Sequence, residues 1–196
     1  MAIAASSSPT LVDRMIRAAK LQVPLYEEVE ADLTATNQAL TVVVMGALAS
    51  GIGTALTAAM AGRGGGVVGA LIGGVLAALI GWAVWSWVLY FVGTRFFGGT
   101  ATYGELLRTL GFSEAPSVLL ILSFIPIVGG LLSFAVGIWI LIAGFIATRQ
   151  ALDIDNTKTV FTIIVGVVAV VIVIAIVAAI VGTIAGVALF AAGAGR

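Results

Sequence analysis

Apolar residues fill the chain from about residue 39 onward, in blocks that are longer than strands and carry few charges. Several blocks run for about 20 residues without a charge, which is the length an α-helix needs to cross the hydrocarbon of a bilayer. Short polar breaks such as "GRGGG" and "DIDNTKT" separate them. The pattern predicts an all-α, polytopic membrane protein whose transmembrane domain, residues 39–196, contains about five helices. We place these spans at residues 39–61, 67–92, 103–125, 127–148 and 159–190.

The third and fourth spans come from one apolar block, residues 115–147, that is too long for a single crossing. As one helix its 33 residues would reach roughly 50 Å, against a hydrocarbon core of about 30 Å. Pro126 and the glycine pair that follows it break the block into a tight hairpin. The third span must then begin before the block. Thr102 and Glu105 have the spacing of a capping box, which predicts a helix start at Tyr103.

Residues 1–38 form the one sizeable polar segment. From Thr10 onward, apolar residues fall on one helical face and charged residues on the other. Pro24 ends that pattern, and an acidic segment, "LYEEVEADL", leads towards the first span. We interpret residues 1–38 as a cytoplasmic N-terminal arm of short amphipathic helices. An anchor on the membrane surface and an arm that docks a partner are equally open.

Glu114 is the carboxylate placed deepest in a predicted span, two residues before Pro116. In a continuous helix Pro116 would introduce a kink, and Glu114 would lie about 13 Å further into the membrane than Glu105. A carboxylate at that depth is a candidate for function, with Arg149 as a candidate partner. If the helix instead restarts at Ser113 as its N-cap, Glu114 and Pro116 occupy an ordinary first turn. We favour this structural role, and we group Glu114, Pro116 and Arg149 with Pro126 as a candidate intramembrane or kink site.

Small residues at every fourth position give three spans a face that another helix can approach closely. The ladder in the second span is the strongest, although a chain rich in alanine and glycine also makes such ladders by chance. These faces could serve packing within the chain or a partner's helix. The residues assigned to them are Gly69, Gly73, Ala77 and Gly81 in the second span, Gly46 and Ser50 in the first, and Gly182 and Gly186 in the fifth.

The amino-acid composition excludes several classes of binding site and catalytic site. The chain is 61% hydrophobic and 9% charged, and its nine basic residues balance nine acidic ones, so no basic surface points to nucleic acid. It has no cysteine and no histidine, which excludes thiolate or imidazole metal sites and nucleophiles of those types. No set of side chains has the composition of a catalytic site. We therefore predict no enzymatic activity, no catalytic or metal-binding residues and no cofactor, while lipid or pigment could bind between the helices.

The distribution of lysine and arginine predicts the orientation. With five spans, the side of the membrane that holds the N-terminus receives seven of these residues and the other side two. The seven are Arg14, Arg17, Lys20, Arg95, Arg108, Arg149 and Lys158, and the two are Arg63 and Arg196. The excess predicts a cytoplasmic N-terminus and a C-terminus outside.

A series of short motifs follows the second span: a Gly-Gly-Thr loop, Tyr-x-Glu-Leu, Gly-Phe before a proline, an Ile-Pro hairpin and a fourth span with a tryptophan. The residues that carry them are Gly98, Gly99, Thr100, Tyr103, Glu105, Leu106, Gly111, Phe112, Pro116, Ile125, Pro126, Gly130 and Trp139. Their order resembles the Yip family, the Ypt/Rab-interacting membrane proteins, over roughly residues 20–180. The resemblance implies five spans and a cytoplasmic N-terminus.

These features favour a non-enzymatic integral membrane scaffold or accessory subunit. Its partners would be the lipid bilayer and other integral membrane proteins or itself, within a larger complex, and no nucleic acid. The spans are rich in glycine, alanine and valine, which we interpret as typical of a prokaryotic cytoplasmic membrane. A small transporter or channel is the first alternative. A membrane-trafficking factor of the Rab-interacting type, which the resemblance implies for eukaryotic members, is the second.

Overall fold

The computed structural model describes residues 9–63 and 65–194, with side-chain packing through Ala185. Within these residues there are seven α-helices and one 3₁₀ helix, and no strand. The all-α prediction is therefore confirmed. The helices are α1 (Leu11–Ala19), α2 (Val23–Ala31), α3 (Ala35–Met60), α4 (Val67–Phe96), α5 (Tyr103–Ser113), the 3₁₀ helix (Ala115–Phe124), α6 (Val128–Leu152) and α7 (Asn156–Ala194).

Five of the described helical segments are long and apolar enough to cross a membrane: α3, α4, α5 with the 3₁₀ helix, α6 and α7. Their ends differ from the predicted spans mainly where helices extend beyond the apolar sequence. Helix α6 runs to Leu152 rather than residue 148, because its last turn is packed inside the protein: Ala147, Ala151 and Leu152 are buried. We call this end of the bundle, which also holds α1, α2 and the loops at 97–102 and 153–155, the polar end.

The third span changes helix type at Glu114. Thr102 and Glu105 form the predicted capping box, and α5 begins at Tyr103. It ends at Ser113, and the chain continues as a 3₁₀ helix with Pro116 in its first turn. The span is therefore helical throughout but not a continuous α-helix, because a proline clashes with the carbonyl four residues earlier. Ser113 is not an N-cap either, since it ends α5 and its hydroxyl donates to the carbonyl of Leu110. Ten residues in a 3₁₀ helix rise roughly 5 Å further than in an α-helix, which lengthens this span.

Helices α1 and α2 fold onto the polar end, and α1 turns Arg14 inward together with the apolar Leu11 and Met15. Arg14 is buried and reaches both Glu28 (Nε–Oε1 2.9 Å) and Asp32 (2.7 Å). Val12 and Ile16, on the apolar face of α1, are 62% and 48% exposed. Pairing with two carboxylates offsets the desolvation of the buried arginine, and the directed hydrogen bonds fix the orientation of the helix. The two N-terminal helices thus form a fixed part of the fold, which we call the N-terminal cap.

Two side chains from the spans hold the C-terminal ends of the cap helices. The guanidinium of Arg108, buried in α5, donates from Nε to the carbonyl of Val29 (2.9 Å) and through a second nitrogen to that of Glu30. The indole of Trp139 in α6 donates to the carbonyl of Ala19 (2.8 Å). The last carbonyls of a helix have no partner within it. Arg108 and Trp139 supply those partners from neighbouring spans.

Helix α3 packs against the third span through small residues seven positions apart. A Cβ atom at Gly46 would collide with the side chain of Ser117, and one at Gly53 with the backbone carbonyl of Leu120. Ala39, seven residues before Gly46, lies against Gly111 of α5. Such close approach of backbones gives the dispersion contacts that hold helices together in lipid.

The Gly-Gly-Thr loop encloses the end of α6. Gly98 has φ +75°, a conformation that favours glycine, and a Cβ atom at Gly99 would lie 2.9 Å from Leu152. The amide of Thr100 donates to the carbonyl of Leu152 (3.2 Å), and its hydroxyl donates to Asp153 (3.2 Å). This loop therefore joins the second span to the fourth.

We predict that Arg108→Ala releases the cap from the spans. The substitution leaves two carbonyls at the end of α2 without a donor and should cost roughly 2–4 kcal/mol. Limited trypsin digestion in mild detergent, with fragments identified by mass, measures release as cleavage after Arg14, Arg17 and Lys20. We expect a rate roughly tenfold or more above that of the unmodified chain.

The control for this prediction is Arg95→Ala, which removes an exposed arginine of α4. It should leave cleavage within α1 unchanged. Equal cleavage in the Arg108 and Arg95 variants would mean that Arg108 does not hold the cap.

Candidate functional site

A cavity of about 830 Å³ lies between α3, α4, α6 and the third span. Its walls are mostly apolar or small side chains, and its polar groups are few. Helix α3 contributes Ser50 and Thr54, and α4 contributes Gly74 together with Trp82 and Trp85. This is the size and composition of a ligand pocket, which typically measures about 300–1,000 Å³ and carries a small number of polar groups.

Glu114 supplies the carboxylate of this cavity. It lies at the junction of α5 and the 3₁₀ helix, about 16 Å along α5 from the start of the third span. The hydroxyls of Ser113, Ser117 and Thr148 also line the cavity, but each donates to a backbone carbonyl instead of the carboxylate. The Glu114 carboxylate accepts no hydrogen bond from the residues that the structure describes.

Arg149 does not meet Glu114. Its guanidinium donates to Gln150 (2.7 Å and 3.0 Å) and to Asn156 (3.2 Å), at the junction of α6 and α7. Pro116 is buried beside Glu114, whereas Pro126 lies at the far end of the third span, in the turn before α6. Of the candidate site residues, the structure thus brings together Glu114 and Pro116.

The small-residue ladders do not stay on one face. Gly69 and Gly73 are exposed on the outside of α4, and an added Cβ atom would meet nothing within 4 Å there, while Gly81 also lines the cavity. Four residues advance about 400° along an α-helix, so a ladder of fourth positions drifts by about 40° at each step. In α3, likewise, Gly46 packs on Ser117.

The remaining ladder residues are likewise divided between the cavity and the outer surface. Ser50 lines the cavity, Ala77 is exposed on α4 and Gly182 is exposed on α7 with nothing within 4 Å of an added Cβ atom. Gly186 lies outside the residues whose packing the structure describes.

Acidic residues gather around Glu30 at the polar end. Burial, and then the nearby charges of Asp153, Glu105 and Glu27, raise the pKa of Glu30 to about 7, although Arg108 works in the opposite direction. In the cap, burial alone would raise the pKa of Glu28, but hydrogen bonds from Arg17 and Arg14 outweigh it and hold that pKa below its usual value. Two carboxylates of one short helix therefore have pKa values shifted in opposite directions from the ordinary value.

Sequence reasoning missed the residues that organise the polar end. The sequence analysis counted Arg108 and Arg14 only as positive charges, and it used Trp139 only as part of a motif. Their partners are 14 to 120 positions away in the chain, so no local spacing identifies them. The available signal was the position of Arg108 inside an otherwise apolar span, which requires a buried partner.

Comparison with known proteins gives one match. The family model described as "Yip1 domain" matches residues 26–180. No curated protein and no solved structure matches the chain.

The five apolar helical spans define the class of protein, which is an integral membrane protein. Because the family model covers most of the chain, from α2 to α7, the protein belongs to the Yip family. The resemblance of the motifs between Gly98 and Trp139 is thereby confirmed.

We predict that Glu30→Gln removes the loss of stability that the unmodified chain undergoes as the pH rises towards 7. The carboxyl group ionises near its ordinary pKa when unfolded but near 7 when folded. Between these values the folded state binds more protons, so rising pH destabilises the unmodified chain. Thermal unfolding followed by tryptophan fluorescence should show a difference between the two chains that grows from about pH 4.5 to 7 and then levels off. A constant difference over this range would contradict the assignment.

Proposed function

We propose that this protein is a non-enzymatic membrane scaffold or accessory subunit that associates with other integral membrane proteins, within a larger complex, or with further copies of itself. The observation that carries the proposal is the outward face of α4 around Gly69 and Gly73. Glycine has no side chain to cover the helix backbone, and at both positions an added Cβ atom would meet no described atom within 4 Å.

The use of glycine elsewhere in the fold supports this interpretation. At Gly46 and Gly53 of α3 a neighbouring element occupies the space that a side chain would fill, so these two glycines permit close backbone contact within the fold. In lipid, helices associate through such contacts, since lipid tails are as apolar as leucine side chains. Gly69 and Gly73 offer the same kind of surface outward, towards the helix of a partner.

We predict that Gly73→Leu or Gly69→Leu weakens association. A leucine fits on the exposed face without disturbing the fold but separates the two backbones. Purification of the tagged chain in mild detergent, with the stoichiometry of recovered proteins determined, should show a loss of roughly tenfold or more, in line with the cost of a disrupted packing interface. The matched control is Gly137→Leu, at an exposed glycine of α6 that likewise has nothing within 4 Å of an added Cβ atom.

Two outcomes would contradict the proposal. One is a homogeneous preparation of this chain alone, as a monomer. The other is association that all three leucine variants share unchanged. Passage of a small solute is the second candidate function, favoured by the cavity and its carboxylate. A saturable flux in liposomes that Glu114→Gln abolishes would place it first.

We also propose that the polar end faces the cytoplasm of a prokaryotic cell. Seven lysines and arginines belong to that end by sequence, against two on the other side. Arg63, in the loop between α3 and α4, lies on the opposite side, and Arg196 lies outside the described residues. The excess of positive charge on one side of short loops is what fixes orientation during insertion.

Single cysteines test this orientation cleanly, because the chain has none of its own. Gly65→Cys, in the loop before α4, should react with a membrane-impermeant maleimide on intact cells. Lys20→Cys, at the end of α1, should react only after lysis. Labelling of Lys20→Cys but not Gly65→Cys on intact cells would reverse the orientation.

A further inference from the structure

The cavity has two chemically different ends. Glu114 and three hydroxyl-bearing side chains lie towards the polar end, together with the indole rings of Trp82 and Trp85. Beyond them the walls are formed by mostly small and apolar residues of α3 and α4 as far as Arg63, with the hydroxyl-bearing Ser50 and Thr54 among them. From Gly46, beside Glu114, to the end of α3 is about 21 Å. The shape is therefore an apolar slot with one acidic, aromatic end.

The carboxylate is the part of this site that the fold leaves without a partner. Glu114 forms no ion pair with a described residue, and the neighbouring hydroxyls donate elsewhere. A carboxylate held among apolar walls gains strongly from a cation, because the surroundings screen the attraction less than water does. Tryptophan faces add a second attraction for cations, and most of all for quaternary ammonium groups.

We propose that this cavity binds a single-chain cationic amphiphile, with its ammonium group at Glu114 and its apolar chain along α3 and α4. The acidic, aromatic end recognises the charge, and the slot formed by Ala47, Gly51, Ala55 and Gly74 accepts the chain. Charge complementarity selects this occupant over an uncharged lipid tail, which would leave the carboxylate unpaired. The inference does not depend on association through the outer face of α4.

The charge at the opposite end of the slot also favours binding with the ammonium group at Glu114. Arg63 lines the cavity beyond the last turn of α3. Its positive charge disfavours an ammonium group at that end. The single carboxylate among the described lining residues therefore fixes which way the amphiphile lies.

Binding of dodecyltrimethylammonium to the full chain in lipid nanodiscs tests the proposal, with dodecyl maltoside as the uncharged amphiphile of the same chain length. Native mass spectrometry and quenching of tryptophan fluorescence report occupancy. We expect saturable binding of one dodecyltrimethylammonium per chain, weakened at least tenfold by Glu114→Gln. Dodecyl maltoside should bind more weakly and be indifferent to that substitution.

A second variant tests the slot without touching the carboxylate. An added Cβ atom at Gly74 meets nothing within 4 Å and Gly74 lines the cavity, so Gly74→Leu fills the slot from an unstrained position. It should reduce dodecyltrimethylammonium binding at least tenfold with Glu114 intact. Gly137→Leu, away from the cavity, should bind as the unmodified chain does.

Two results would overturn the proposal. If dodecyltrimethylammonium binding is unchanged in both Glu114→Gln and Gly74→Leu, the amphiphile partitions into the surrounding lipid and not into the cavity. If dodecyl maltoside competes equally well and Glu114→Gln changes nothing, the slot accepts a chain without recognising a cation. Unchanged unfolding temperatures of the variants establish that a loss of binding is not a loss of fold, and Gly74→Leu decides the question should Glu114→Gln fail to fold.

Discussion

Backbone carbonyls at the ends of short helices set the main constraint on this fold. Each α-helix ends in carbonyls that lack a partner, and next to a membrane there is little water to satisfy them. Helices α1 and α2 end against the spans, where Trp139 and Arg108 donate to Ala19, Val29 and Glu30. Hydrogen bonds thus fix the N-terminal cap to the third and fourth spans.

The charge pairs of the cap follow from this arrangement. Once α1 lies on the polar end, its charged face meets the acidic α2, and Arg14 is buried between Glu28 and Asp32. The apolar residues Val12 and Ile16 are left on the outside. Leu11 and Met15 of the same helix pack against the core, so α1 buries part of its apolar face and one paired arginine together.

Local features of this fold could be predicted from the sequence, and non-local ones could not. The capping box at Thr102 and the helix break before Pro116 involve residues within four positions of each other. The first turn of α7 is local in the same way, since the side chain of Asp155 accepts a hydrogen bond from the amide of Lys158, three positions on (2.9 Å). The cavity around Glu114 depends on how four separate helices meet. A ladder of fourth positions drifts around a straight helix, whereas Ala39, Gly46 and Gly53, spaced seven positions apart, all lie against the third span.

The unequal lengths of the spans have a mechanical consequence. Helix α7 has 39 residues, about 58 Å, and its exposed valine and isoleucine residues continue through Ile184. The third span, on another side of the bundle, is about 20 Å shorter. To match the lengths of both spans, either the bilayer thickens beside α7 or α7 tilts. Where α7 stays upright, the protein imposes a gradient of bilayer thickness around its circumference, and a membrane whose thickness already varies accommodates that gradient at lower elastic cost than a uniform one.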